Sequence, residues 1–152
     1  MGEWKRHQGF YYRRRLKYSR FRQWFPGACD FVRQVAAKYP LAIASGALRS
    51  EICYILRQGC LNKYFSVLVA AEDVRNGKPH PEGFLTAMKI LNKKLGLRLK
   101  PRECLVVEDS LEGIEAARRA GMRCLALATS HPMSKLRSAD AVVRNYRQIR
   151  LE

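Results

Sequence analysis

From residue 28 onward, short apolar runs alternate with longer segments whose apolar residues recur every three or four positions. Glycine and proline mark most of the joins. After the turn signal Pro26-Gly27, "ACDFVRQVAAKY" places Ala28, Phe31, Val32, Val35 and Ala36 at helical spacing, and Pro40 ends that pattern. "LAIAS" is a continuous apolar run closed by Ser45-Gly46 and predicts a strand buried on both faces. "LRSEICYILRQG" predicts a helix stopped at Gly59. The alternation then repeats. "FSVLVAAED" reads as a second strand, Pro81 starts a helix running to about Lys94, "ECLVVED" reads as a third strand, and "LEGIEAARRAG" as a helix closed by Gly121. "RCLALAT" predicts a fourth strand and Ala141 to Val143 a short fifth. Apolar strands alternating with amphipathic helices imply a parallel sheet covered on both faces, the doubly wound, Rossmann-like α/β class. Sheets of this class bind ligands at the carboxyl ends of their strands.

Length and composition fit one such domain. The 152 residues suffice for a single core, and 47% hydrophobic residues indicate a globular chain. The 29 Lys+Arg against 13 Asp+Glu give a formal charge of +16, which invites a nucleic-acid reading. The excess is uneven: residues 1–24 hold eight basic residues against Glu3 alone, interleaved with Trp4, Phe10, Tyr11, Tyr12, Tyr18, Phe21 and Trp24. Such a mixture suits an anionic polymer, and equally a surface helix whose aromatic stripe packs on the domain. The five cysteines, Cys29, Cys53, Cys60, Cys104 and Cys124, are odd in number and form no C-x-x-C pair, which is the pattern of reduced thiols. Without a membrane-length apolar segment or the apolar core of a signal peptide in the first twenty residues, a cytoplasmic, non-membrane protein is expected.

Three strand ends carry candidate chemistry. Ser45 and Gly46 follow the first strand, where a hydroxyl and free backbone N–H groups could hold an anion or simply cap a helix. "GKPHPE", Gly77 to Glu82, follows the second, and its glycine and two prolines fix Lys78 in a stiff frame as a compact positive charge suited to phosphate. Glu108 and Asp109 complete the third, with Ser110 placed to cap the next helix. Adjacent carboxylates repel unless a cation or a lysine compensates them, and such a pair suits Mg²⁺ as well as a plain helix cap.

Taken together, "LAIASG", "GKPHPE" and "VVEDSLEGIEAARRAGM" over roughly residues 20–145 resemble the haloacid dehalogenase superfamily. The likeness is to its β-phosphoglucomutase-like and phosphoglycolate-phosphatase-like branch. That resemblance implies a Mg²⁺-dependent phosphomonoester hydrolase acting on a phosphorylated small molecule. Ser45 and the Gly46 N–H would bind the phosphate, Lys78 would bridge the phosphate and a carboxylate nucleophile, Glu108 and Asp109 would hold Mg²⁺, and Ser110 would support the acidic pair.

The family's nucleophile stands in a D-x-D-G-[TV] motif on the first strand. Here the four aspartates, Asp30, Asp73, Asp109 and Asp140, include no D-x-D pair. The resemblance therefore implies a chain truncated at its N-terminus. Residues 1–24 are expected to be the remnant of a cap domain's return helix, and 25–152 the core lacking its usual central strand. The strands ending at Ser45 and Asp109 would then close up, accept a foreign strand, or leave backbone groups unpaired. The core alone is expected to be inactive, with a partner chain as one source of the absent strand. The alternative is a pseudoenzyme, or an anion- or nucleic-acid-binding module using the basic lead.

Overall fold

A computed structural model describes residues 26–150. The basic lead over 1–24, and its reading as a cap-return helix, lie outside the described residues.

Helix α1 spans Ala28–Ala36, strand β1 Leu41–Ala44, α2 Arg49–Gln58 and β2 Phe65–Val69. Helix α3 spans Glu82–Leu95, β3 Leu105–Glu108, α4 Leu111–Arg119, β4 Arg123–Leu127 and β5 Ala141–Val143. Among the described residues, four α-helices and five strands follow one another in alternation up to β4, which leads to β5 without an α-helix between them. Helix boundaries follow local chemistry. Pro81 precedes α3, Gly96 ends it in the left-handed region at φ 65°, and Gly121 at φ 71° turns the chain from α4 into β4. Among the described residues no helix is long and apolar enough to cross a membrane. All five cysteines are unbridged thiols.

Every strand pairing is parallel, giving a Rossmann-type α/β fold. The strands form two sheets, β1-β2 and β3-β4-β5, with no pairing between β1 and β3 among the described residues. Of the three outcomes expected for these strands, the described residues therefore show unpaired edges rather than closure.

Helices tie the two sheets together. On α3, Ala87 and Leu91 pack with Val67, Val69, Ala42 and Ala44, while Phe84, Leu85 and Met88 pack on the cluster built from Val106, Ile114, Ala126 and Leu136. On the opposite face of β1, Ile43 joins Cys29 and Val32 of α1 and Ile52 and Leu56 of α2. Helix α1 also reaches the second half of the molecule, packing Phe31 against Tyr146 with ring centroids 5.4 Å apart and the rings tilted by 40°.

One sequence expectation needs correcting. "LAIAS" predicts a strand buried on both faces, yet Leu41, Ala42, Ile43 and Ala44 are all only half-buried. The cause is topological: β1 has one neighbour, whereas β4, paired on both sides, buries Cys124 through Leu127.

Candidate active site

The carboxyl ends of β1, β2, β3 and β4 carry polar groups on the four loops that follow them. At the end of β1, the Ser45 N–H donates to the Val69 carbonyl at 2.9 Å, and Ser45 Oγ accepts from the Ala47 N–H at 3.1 Å. The hydroxyl thus closes a tight turn rather than capping α2, which begins three residues beyond Gly46, at Arg49. A Cβ added at Gly46 would meet nothing within 4 Å, so its backbone is open to a ligand.

The loop after β2 is clamped by a carboxylate. Glu82, in the first turn of α3, accepts from the Arg75 N–H at 2.9 Å and from the Asn76 N–H and side-chain amide at 3.0 Å. These donors hold its carboxyl below the ordinary range. The clamp sets the frame from which Lys78 projects, with its ammonium 4.9 Å from the Phe84 ring centroid and hydrogen-bonded to Glu108 Oε1.

Glu108 and Asp109 are adjacent in sequence but differ in surroundings. The Glu108 side chain is 8% exposed and folds back over the first turn of α4. Its Oε2 accepts from the Asp109 N–H at 2.9 Å, the Ser110 N–H at 3.0 Å and Ser110 Oγ at 2.8 Å, while Oε1 takes Lys78. Burial pushes this carboxyl up, but the Lys78 charge and the hydrogen bonds from Lys78 and Ser110 outweigh burial and hold it below its ordinary value. Ser110 also accepts from the Gly113 N–H at 3.0 Å, the N-cap role its position predicts. Gly113 is required locally, since a Cβ there would fall under 3.0 Å from the Glu108 carboxylate.

Asp109 points elsewhere. Its Oδ2 accepts from Thr129 Oγ1 at 3.1 Å and from Ser130 Oγ, leaving Oδ1 without a hydrogen bond among the described residues. No sequence motif singles out Thr129 and Ser130, although they follow β4 and the strand-end rule applies to them equally. Tyr146 is a second omission. Burial, with Asp109 and Glu108 nearby, pushes its phenol up to about 12. No sequence signal places it there, because it arrives from a turn after β5.

The structure thus brings Lys78, Glu108, Asp109 and Ser110 into one connected group, with Ser45 and Gly46 at the end of β1. None of Asp30, Asp73 or Asp140 stands in for a nucleophile. Asp30 pairs with Arg33 on α1, Asp73 with Arg49, and Asp140 accepts from the Cys124 N–H.

A family model described as "haloacid dehalogenase-like hydrolase" matches residues 6–127. The chain belongs to the haloacid dehalogenase-like hydrolases. Its relatives in this family include 5-amino-6-(5-phospho-D-ribitylamino)uracil phosphatase of Arabidopsis thaliana, 37% identical over 78% of this chain and 30% of that protein. Validoxylamine A 7'-phosphate phosphatase of Streptomyces hygroscopicus subsp. limoneus is 33% identical over 82% of this chain and 56% of that protein. Among solved structures, β-phosphoglucomutase of Clostridium difficile is 25% identical with a TM-score of 0.71, over 84% of this chain and 52% of that one. CbbY of Rhodobacter sphaeroides, in complex with phosphate, is 25% identical with a TM-score of 0.70, over 82% of this chain and 55% of that one. The chain therefore spans about a third to a little over half of the length of these family members.

Proposed function

We propose that this chain is the phosphate- and metal-holding core of a Mg²⁺-dependent phosphatase acting on a phosphorylated small molecule. The observation that carries the reading is the Lys78–Glu108–Asp109 group at the strand ends, in which one ammonium is fixed by a buried carboxylate beside a second carboxylate with a free oxygen.

In this reading Ser45 Oγ and the Gly46 N–H grip the phosphate, and Lys78 neutralises its charge while Glu108 keeps the ammonium from straying. Magnesium fits the donor set, which offers hard carboxylate oxygens and leaves the other positions to water and phosphate. Asp109 Oδ1 is the oxygen available to it. Glu108, whose oxygens are occupied by Lys78, Ser110 and backbone N–H groups, would support Mg²⁺ beside Asp109 through its negative charge rather than through a free oxygen. When bound, the metal would offset repulsion between a phosphate and an attacking carboxylate. Ser110 keeps Glu108 turned onto α4, and Thr129 and Ser130 hold Asp109 by its other oxygen. Two relatives support the phosphate-ester class, since the Arabidopsis and Streptomyces proteins are both named as phosphatases.

No D-x-D pair lies in these 152 residues, so the core is inactive by itself and needs a strand carrying the nucleophile. The chain divides, on this reading, into a lead over 1–24, derived from a cap domain's return helix, and a core over 25–152. A cytoplasmic location is in keeping with five unbridged thiols. A nucleic-acid-binding function would rest on the basic lead alone, and nothing in the site asks for it.

The test is hydrolysis of a generic aryl phosphate by the purified chain with and without Mg²⁺, beside Asp109→Asn and Lys78→Ala. The expected result is no turnover from a chain that still unfolds cooperatively. Mg²⁺-dependent turnover that disappears in both variants would show that a carboxylate of this chain replaces the nucleophile, and the incomplete-site reading would fail.

A further inference from the structure

Ser45 and Gly46 stand at the end of β1 and Lys78 on the loop after β2, and the ladder between these strands ends at the pair Ala44 and Val69. Two groups that close on one phosphate must keep their spacing to a fraction of an ångström, so the tie between their loops matters. Arg49 supplies it. Its backbone N–H donates to both oxygens of Glu72, at 3.0 and 3.2 Å, while its guanidinium Nη2 donates to the Leu68 carbonyl at 3.2 Å and to Asp73 Oδ2. Asp73 Oδ2 also accepts from the Ala70 N–H at 2.7 Å, and the Ala71 N–H donates to the Ala47 carbonyl at 3.0 Å. With the Ser45 N–H on the Val69 carbonyl, the turn is stitched to the end of β2 and the segment after it at Ser45, Ala47 and Arg49 in succession.

The stitching continues toward Lys78. Val74 follows Asp73 and packs with Val67 and Val69, and the next two backbone N–H groups are held by Glu82. Asp73 to Asn76 are each pinned, which leaves Gly77 alone before Lys78. Charge works in the same direction, since Glu72 and Asp73 would repel an anion at Gly46 if the guanidinium did not offset them. We infer that Arg49 is a positioning residue for phosphate: through Asp73 and Glu72 it locks the Ser45-Gly46 turn to the loop carrying Lys78, so that both grip one anion. The identity of that anion rests on the phosphatase reading above. The Arg49 and Asp73 side chains are 46% and 32% exposed, so solvent screens the pair and its weight in global stability is small. Its loss falls on binding more than on unfolding.

Inorganic phosphate is titrated into the isotope-labelled 152-residue chain at fixed Mg²⁺, and the Gly46 and Lys78 backbone amides are followed by NMR. The parent is compared with Arg49→Met, Asp73→Ala, the double variant and Arg49→Lys, and a urea midpoint is measured for each. In the parent the two amides shift along one curve. Arg49→Met and Asp73→Ala each weaken phosphate at least about tenfold and split the two curves, against a small change in urea midpoint. The double variant binds no more weakly than either single, because one bridge is broken once, and Arg49→Lys recovers part of the affinity. Unchanged affinity with a shared curve in Arg49→Met, or losses that add in the double variant, would overturn the inference and leave the phosphatase reading standing. So would a weakening in which the two amides still follow one curve and the urea midpoint falls in step, the mark of a merely structural role. A parent in which neither amide responds to phosphate removes the phosphatase reading and this inference with it.

Discussion

Replacing Gly113 by alanine is the sharpest probe of how the acidic end of β3 is built. The added Cβ would fall under 3.0 Å from the Glu108 carboxylate, which cannot yield without leaving the first turn of α4. Leaving it means losing the Asp109 N–H, the Ser110 N–H, Ser110 Oγ and Lys78 at once. Breaking a buried pair by displacing one partner costs about 3–5 kcal/mol. The helical preference of alanine over glycine returns about 1 kcal/mol. Gly113→Ala should therefore destabilise the chain by a net ~2–4 kcal/mol, read as a lower urea midpoint with unchanged slope. The double variant isolates the cause. With Glu108→Ala already present the clash is gone, so adding Gly113→Ala should be neutral or stabilise by up to ~1 kcal/mol. A single variant within ~0.5 kcal/mol of the parent, or an equal cost in both backgrounds, would refute the reasoning.

Three other outcomes follow from the same structure. Hydrogen bonds from Arg49 and the Ala70 N–H lower the Asp73 carboxyl, so their stabilisation is present above its ordinary 3.8 and lost as pH falls through its lower folded value. Arg49→Ala should cost about 0.5–1 kcal/mol near neutral pH, shrinking in acid, and a pH-independent difference would contradict the assignment. Glu82→Ala should speed amide exchange at Arg75 and Asn76 without changing exchange in β4, which distinguishes a loop clamp from a general stability role. Burial, with Glu108 and Asp140 nearby, pushes the Cys124 thiol up to about 11. Cys124 should resist iodoacetamide in the native chain near neutral pH and react once urea unfolds it, and rapid native alkylation would show the core to be open there.

How far the sequence discloses this arrangement depends on the kind of signal. Periodicity and Gly/Pro punctuation are enough for the alternating elements, because "ECLVVED" and "RCLALAT" are apolar runs of strand length set between longer segments of helical spacing. Lys78 and Ser110 are legible for a similar reason, since a Gly/Pro frame and an N-cap position are local facts. The burial of β1 is not, because exposure depends on whether a neighbour sits beside it, and "LAIAS" reads the same in either case. Ser45 reads as an anion ligand or a helix cap, and its hydroxyl accepts the Ala47 N–H in a turn rather than capping α2, a choice the sequence leaves open because one hydroxyl serves a turn or a cap with equal ease. The divergence of Glu108 from Asp109 is also invisible in sequence: two adjacent carboxylates look equivalent until Lys78 and the Ser130 hydroxyl take one each. Tyr146 follows Asp109 by more than thirty residues and carries no motif at all.

Everything proposed for the site rests on Lys78 and Asp109 acting together on a magnesium-assisted phosphate. Calorimetric titration of inorganic phosphate into the full chain, with and without Mg²⁺ and repeated with Lys78→Ala and Asp109→Asn, tests that cooperation at its source. Saturable binding that strengthens with Mg²⁺ and is lost in both variants is the expected result. Binding indifferent to Mg²⁺, or surviving in both variants, would show that these two residues do not form such a site.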